Sequence, residues 1–195
     1  SGLSMPSRKV TINLAPAGRY ALARPLDASG TTWTQSPISL LHLNGVIDGL
    51  GNSISGLTIN APTVGYVGLL SDNLGTIRNL NLVSGSVVGL QVVGSLAGHN
   101  VGLIIDVHSD LAVSGGNIVG GLVGMNDAPT TSLLATITQS TFSGTVTATG
   151  SLAGGITGVN LGVIRDSLAS GAVSGRCVVG GITGMNQTVF ASLLN

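Results

Sequence analysis

Apolar and polar residues alternate along the chain in short runs. Residues 54–59 (ISGLTI) and 77–82 (IRNLNL) are two such runs, and the second follows the first by 23 residues. Alternation over six positions places apolar side chains on one face of an extended strand and polar side chains on the other. We therefore predict short β-strands with one buried face, and we treat Ile54 and Ile77 as equivalent first residues of two such strands.

An eight-residue segment recurs along the chain and is the strongest feature of the sequence. Its copies are residues 67–70 (VGLL, a partial copy), 93–100 (VGSLAGHN), 119–126 (VGGLVGMN), 153–160 (AGGITGVN) and 179–186 (VGGITGMN). The first glycine recurs at steps of 26, 26, 34 and 26 residues. The surplus of eight residues falls on the stretch 127–132 (DAPTTS), whose composition indicates a loop.

A second pattern, Asn-x-Gly-x-Ile, follows three of these copies. It occupies residues 73–77, 100–104 and 160–164, whereas after Asn126 a loop at 127–134 takes its place. A unit of about 26 residues made only of strands and turns cannot bury its own apolar face, but it can do so by stacking on its neighbours. A propeller blade would need about 40 residues, and a sandwich does not repeat at a fixed step.

We therefore predict an all-β fold, a parallel β-helix (solenoid) with coils of about 26 residues whose strands pair about 4.8 Å apart. At least five coils are expected after residue 64, which gives about 24 Å of rod, with two or three irregular coils from residues 10–62. Corners are expected at the recurring glycines and asparagines, because a bend needs the positive φ that these residues tolerate. The predicted corner residues are Gly68, Gly94, Gly120, Gly154, Gly180, Asn73, Asn100, Asn126, Asn160 and Asn186.

The composition excludes several classes of protein. Of 195 residues only 7% are charged, with no Glu, whereas Gly accounts for 31. Amphipathic helices need more charged residues, and simple disorder needs less hydrophobicity than the 43% found here. With seven basic and seven acidic residues, no basic patch is available for nucleic acid.

The cysteine content, the length of the apolar runs and the first residues limit the fold and location further. The single cysteine, Cys177, excludes an internal disulfide, and it is expected to be a small buried side chain. The apolar runs are shorter than the roughly 20 residues that span a bilayer, so no membrane insertion is expected. The start at Ser1 shows no signal peptide, and any targeting segment is expected to have been removed or to lie outside this sequence.

Residues 119–126 and their copies resemble the GLUG motif, a short repeat of large secreted bacterial proteins. Residues 45–59 (GVIDGLGNSISGLTI) are similar to the segment "G-x-[FL]-D-G-x-G-[HN]-x-I-x-x-L-x-I" that commonly precedes such repeats. Residues 18–33 resemble the "Y-x-L-x-x-x-[IL]-D-x-S-G-x-x-W" opening of the same region. The resemblance covers about residues 18–186.

The resemblance implies a right-handed parallel β-helix in an exported protein, at the bacterial cell surface or secreted. Typical hosts are filamentous-haemagglutinin-like adhesins of two-partner secretion, other surface adhesins, and some surface peptidases that carry GLUG repeats outside their catalytic domain. Within one continuous solenoid, residues 1–62 would form irregular or capping coils and residues 63–195 the repeat coils.

Candidate chemistry is sparse. The spacing aligns a column of Asn79, Asp106, Gln139 and Asp166, which we interpret as a solvated polar ladder rather than as a catalytic pair of carboxylates. The stretch Asp106, His108 and Asp110 would share one strand face and is the candidate for a divalent metal or a sugar hydroxyl. Ligands at i, i+2 and i+4 span too far for one ion without a bend, so we predict no metal, no cofactor and no catalytic residue.

Three hypotheses for function follow. The first is a non-enzymatic stalk or adhesin segment that binds a glycan, or a protein of a host or neighbouring cell, through the loop 127–134 or a lateral sheet face. The second is a self-assembling extracellular filament subunit that stacks through the ends of the solenoid, where strand edges are open. The third is a polysaccharide-active enzyme on a β-helix scaffold.

Overall fold

The chain folds as an all-β parallel solenoid of about six coils with about 27 residues per coil. This is a computed structural model, and it describes residues 17–38, 43–128 and 135–187. The described residues form 24 strands and no helix. Every pairing between these strands is parallel, as the fixed repeat step predicted.

The strands fall into six successive coils. Coil 1 contains β1 (Arg19–Ala21), β2 (Leu26–Asp27) and β3 (Thr32–Trp33), and coil 2 contains β4 (Val46–Asp48), β5 (Ser53–Ala61), β6 (Tyr66–Val67) and β7 (Leu70–Asn73). Coil 3 contains β8 (Thr76–Gly89), β9 (Val92–Val93) and β10 (Ala97–Asn100), and coil 4 contains β11 (Leu103–Ser109), β12 (Ala112–Gly115), β13 (Ile118–Gly120) and β14 (Val123–Asn126). Coil 5 contains β15 (Thr136–Thr138), β16 (Thr141–Phe142), β17 (Thr145–Ala148), β18 (Leu152–Gly154) and β19 (Thr157–Asn160), and coil 6 contains β20 (Val163–Arg165), β21 (Leu168–Ala169), β22 (Ala172–Gly175), β23 (Val178–Gly180) and β24 (Thr183–Asn186).

Three sheets run the length of the solenoid. The largest has 14 strands, and two five-stranded sheets stack β7, β10, β14, β19 and β24, and β6, β9, β13, β18 and β23. Equivalent positions of the predicted repeat pair with one another. The successive partners are Val67, Val93, Val119, Ala153 and Val179. Apolar side chains of successive coils point inward and form one continuous core.

The isoleucine ladder sits in register, but its first member is not the predicted one. Ile47 pairs with Ile77, and Ile54 pairs with Leu82. The equivalence of Ile54 and Ile77 was therefore wrong. Coil 2 has two more residues than coil 3 before this point, and they are taken up at a turn where Leu50 and Gly51 have φ values of 52° and 77°.

The predicted number of coils was also too high. Val67 and Gly68 belong to the second coil rather than opening a third, so four further coils follow them. The described residues before position 62 supply the first coil and most of the second, not two or three additional coils. Over the described residues, the solenoid thus has fewer coils than predicted.

The two ends of the insertion after Asn126 lie side by side on the solenoid. The Asp127 N–H donates to the Asn100 carbonyl (2.8 Å), and the Ala135 N–H donates to the Asp127 carbonyl (3.2 Å). Ile137 then occupies the ladder position between Ile104 and Ile164. The remainder of the predicted loop, residues 129–134, lies outside the described residues.

The corners form where glycine and asparagine recur, but not for the predicted reason. None of the ten predicted corner residues, all of them described, has a positive φ. At Gly94, Gly120, Gly154 and Gly180 an added Cβ would collide with the carbonyl oxygen of the residue three positions later. At Gly68 it would lie 2.7 Å from the Ala97 Cα in the next coil. The glycines are required by close backbone approach at a tight corner, and the bend does not need a positive φ.

Positive φ occurs instead in the column that the spacing aligned. Asn79, Asp106, Gln139 and Asp166 have φ values of 53°, 53°, 52° and 50°, and the strand pairs on either side place them at equivalent positions. The column is therefore a line of left-handed bends. Asn and Asp tolerate this conformation better than other side chains, which gives a backbone reason for their recurrence.

Candidate functional site

Asp106, His108 and Asp110 all face away from the core, since exposed or half-buried residues alternate with buried ones from Asp106 to Leu111. The backbone bends at Asp106, which has a left-handed conformation. The His108 Nε2 still lies 3.0 Å from the Asp106 Oδ1. Asp110, however, is at the next corner, where its Oδ1 accepts the Ser84 N–H at 2.6 Å. The three side chains therefore share the outer face, but the two carboxylates bond to different groups.

A hydroxyl from the next coil completes the surroundings of His108. The His108 Nδ1 lies 2.7 Å from the Thr141 Oγ1, since Thr141 is the register partner of His108. The order hydroxyl, imidazole, carboxylate is the one that nucleophilic hydrolases use. Sequence spacing found no such set, because Thr141 is 33 residues from His108. The His108 and Asp106 side chains are 42% and 52% exposed, so water competes for both groups.

His108 also lines a small cavity on the outer surface. The cavity has a volume of about 120 Å³ and is lined by Asn81, Leu82, Val83, His108, Ser109, Asp110, Thr141 and Ser143. These residues belong to coils 3, 4 and 5. Asp106 is not among them, so the cavity combines only two of the three candidate residues with side chains that the sequence analysis did not single out.

A second titratable cluster, around His99, was missed by the sequence analysis. The His99 Nδ1 lies 3.0 Å from the Asp72 Oδ1, and its Nε2 lies 3.3 Å from the Asp127 Oδ2. The Tyr66 ring meets the imidazole edge to face, with 6.1 Å between centroids. Asp72 is the register partner of His99 in coil 2, and Asp127 follows Asn126 at the base of the insertion.

This arrangement favours a protonated imidazole. The hydrogen bond with Asp72, assisted by Asp127, raises the pKa of His99 above its ordinary value of 6.5, although partial burial opposes the shift. A signal for this cluster was present in the sequence. Asp72 precedes Asn73, and His99 precedes Asn100, so both residues hold the same position in the repeat.

The remaining described aspartates have structural partners. Asp48 accepts the Leu50 N–H at 2.9 Å and the Asn79 amide at 3.0 Å, and it pairs with the Arg78 Nε at 2.7 Å. These hydrogen bonds hold the pKa of Asp48 below its ordinary value, and the bond from the Ser29 N–H does the same for the pKa of Asp27. Asp166 lies 4.0 Å from Arg165 and is exposed.

The corner asparagines form a hydrogen-bonded ladder inside the solenoid. Each side-chain amide donates to the side-chain oxygen of the asparagine in the next coil, over 2.7 to 2.8 Å, from Asn73 through Asn100, Asn126 and Asn160 to Asn186. The first three are fully buried. Their amides also donate to backbone carbonyls at the start of the following coil. These residues are thus structural, and each satisfies the buried polar atoms of its neighbours.

Two negative findings apply to the described part of the chain. No group of three or more His, Cys, Asp or Glu side chains there has an arrangement that could hold a metal ion. In the same residues no helix is long and apolar enough to cross a bilayer. Cys177, expected to be buried, is exposed, because it lies at an outer turn where the equivalent residues Gln91, Asn117 and Ser151 are exposed as well.

Fold and surface together define this chain as a segment of parallel β-solenoid with few charged groups. No protein-family model matches it, and no solved structure does. Halomucin of Haloquadratum walsbyi is 40% identical over 86 residues, which cover 43% of this chain and 1% of halomucin. A putative Gly-rich membrane protein of Evansella cellulosilytica is 31% identical over 139 residues, which cover 52% of this chain and 16% of that protein. The chain thus spans only a small part of both relatives.

Proposed function

We propose that this chain is a non-enzymatic, rigid segment of a secreted or cell-surface protein of the adhesin type, in which its coils act as a stalk. The observation that carries the proposal is the asparagine ladder, which links five successive coils through buried hydrogen bonds. Such coupling between neighbouring coils makes a solenoid resist local opening. The likeness to GLUG repeats and the partial similarity to halomucin and to a membrane protein support a location outside the cell.

Limited proteolysis tests the rigid stalk. Arg78 and Arg165 have exposed side chains, yet both lie within paired strands. Trypsin needs an extended, unpaired backbone, so we expect both bonds to survive conditions that digest the urea-unfolded chain. Rapid cleavage after Arg78 in the native protein would contradict the rigid stalk.

Surface exposure needs a separate test in the parent organism. We expect an antibody raised against this chain to label intact cells or the culture medium. Brief protease treatment of intact cells should then remove the cell-bound signal. Detection in the cytosolic fraction alone would contradict the extracellular assignment. In this proposal a glycan or a protein of another cell binds a lateral sheet face or the insertion after Asn126.

A second candidate function, end-to-end assembly, is favoured by the last coil. Leu168, Val178 and Val179 are 59%, 48% and 46% exposed, and among the described residues the strands of coil 6 have partners on one side only. Unpaired parallel strands with apolar neighbours are a template for another chain. Sedimentation velocity over a concentration series should show association that Val179→Lys abolishes. A strictly monomeric profile at the highest concentration would exclude this function.

A further inference from the structure

The cavity beside His108 is built from two neighbouring columns of outward-facing side chains. One column consists of Asn81, His108 and Thr141, which are register partners in coils 3, 4 and 5. The other consists of Val83, Asp110 and Ser143, each two positions further along its coil. The cavity volume of about 120 Å³ is well below the roughly 300 Å³ at which pockets for drug-sized ligands begin. The cavity can therefore hold the edge of one small ring.

Internal hydrogen bonds hold the polar groups of the cavity in place. His108 is fixed between the Thr141 hydroxyl and the Asp106 carboxylate, at 2.7 and 3.0 Å. The Asp110 Oδ1 accepts the Ser84 N–H, and the Asn81 amide nitrogen donates to the Gly51 carbonyl at 2.9 Å. Each side chain is therefore anchored by one end.

The same bonds leave a set of acceptors directed outward. The Asp110 Oδ2, the Asn81 Oδ1 and the Ser143 hydroxyl have no hydrogen-bond partner among the described residues. Val83, which is 40% exposed, adds an apolar wall beside them. Anchored acceptors next to an apolar wall match a ligand that offers several O–H donors on one edge and C–H groups on its face.

We propose that this cavity is a binding subsite for one neutral pyranose ring of a glycan. Asp110 and Asn81 would accept hydrogen bonds from neighbouring sugar hydroxyls, and Val83 would contact the ring carbons. The Asp110 carboxylate disfavours an acidic sugar, because the residues that line the cavity include no Lys or Arg to compensate a second negative charge. The inference deepens the proposed function by naming the ligand class of its lateral face.

The test is a titration of the isotope-labelled chain with methyl glycosides, followed by amide chemical shifts. We expect methyl α-D-mannoside or methyl β-D-galactoside to cause saturable shifts at residues 81–84, 108–110 and 141–143 at millimolar concentration. Methyl β-D-glucuronide, which is anionic, should cause none. Asp110→Asn should weaken the binding by about tenfold or more, since it removes a charged acceptor.

Asp166→Asn is the matched control, because Asp166 is exposed, lies outside the cavity and has a left-handed backbone that Asn tolerates. It should bind as the parent does. Absence of shifts with every neutral glycoside, equal weakening in the two variants, or equal binding of the glucuronide would overturn the assignment. The proteolysis and surface-labelling tests do not depend on this cavity, so a failure here is distinguishable from a failure of the stalk.

Discussion

At the scale of single residues, the buried asparagines affect both the stability of the solenoid and the register between its coils. A buried amide is costly unless all of its groups are bonded. Asn100 meets this condition by accepting from Asn73 and by donating to Asn126 and to the Gly102 carbonyl. An apolar residue at the same place would leave groups on both neighbouring coils unpaired. Register between coils is thereby fixed by side chains as well as by backbone.

The first prediction is that Asn100→Ala lowers the free energy of unfolding by about 3 kcal/mol, because it leaves the Asn73 amide and the Asn126 Oδ1 in the core without their partner. Urea unfolding followed by circular dichroism measures the change. Asn186→Ala is the control, since Asn186 ends the ladder and is exposed. It should cost less than about 1 kcal/mol. Similar losses in both variants would contradict a cooperative ladder.

The second prediction concerns His99 and pH. Since Asp72 and Asp127 raise the pKa of His99 above 6.5, the folded state binds its proton more tightly than the unfolded state. The stabilisation is fully present below pH 6.5 and is lost as pH rises through the higher pKa of the folded state. Urea midpoints across this range should fall with rising pH in the parent chain.

His99→Met is the matched variant, because Met125 occupies the same position in the next coil. It removes the titrating group, and its urea midpoint should be nearly independent of pH over the same range. The idea fails if the two proteins have equal slopes, or if the parent chain has none.

At the scale of elements, the corners are decided by packing between coils. The second glycine of the repeat, Gly121, lies directly below the Phe142 ring and the Gly155 carbonyl, and an added Cβ would collide with both. Gly181 holds the same position in the last coil, and an added Cβ there would have no neighbour within 4 Å. This repeat position is thus closed at Gly121 in coil 4 and open at Gly181 in the last coil.

The third prediction follows from this contrast. Gly121→Ala should lower the free energy of unfolding by about 1–3 kcal/mol, the usual cost of overpacking. Gly181→Ala should be neutral, or stabilising by up to about 1 kcal/mol, because it restricts the unfolded chain without a collision. Thermal unfolding of the two variants compares them directly. Equal destabilisation would show that the glycine is needed for its dihedral angles instead.

At the scale of the whole molecule, stability is distributed unevenly along the axis. Coils 3 to 5 are covered on both sides, whereas the apolar residues of coil 6 are partly open, including Ile182 and Met185 at 37% exposure each. In a one-dimensional stack each unit gains from its two neighbours, so a terminal unit frays first. Function as a stalk depends on the covered coils, and association with other chains depends on the open one.

The fourth prediction is a gradient of amide hydrogen exchange. Strands β13 (Ile118–Gly120) and β23 (Val178–Gly180) have equivalent positions in the repeat, and their first N–H groups are both bonded to the previous coil, at 2.7 and 2.9 Å. We expect the β13 amides to exchange at least about tenfold more slowly, because opening them disrupts two coil interfaces. Equal rates, measured by mass spectrometry, would mean that the solenoid opens as one unit.

The sequence by itself determined the fold class. A repeat of fixed length with apolar positions inside it has few ways to bury them, and the glycine and asparagine positions marked the pairing register correctly from coil 2 to coil 6. The local pattern assigned the wrong partner to Ile54, because coil 2 has two extra residues before it. The sequence does not show which turn contains them. The pattern also gave the wrong cause for the corners, since the close backbone approach at these glycines exists only once the chain is folded.

Only the tertiary structure decided which polar side chains meet. The Asp72, His99 and Asp127 cluster and the cavity around Asp110 each draw residues from three coils, and residues one coil apart in space lie about 27 positions apart in sequence. The strand-face argument placed Asp106, His108 and Asp110 on the outer face, but it did not show the left-handed bend at Asp106 or the bonds of His108 and Asp110 to neighbouring coils. Side-chain alternation holds only while the backbone stays extended, and that depends on contacts with the neighbouring coils.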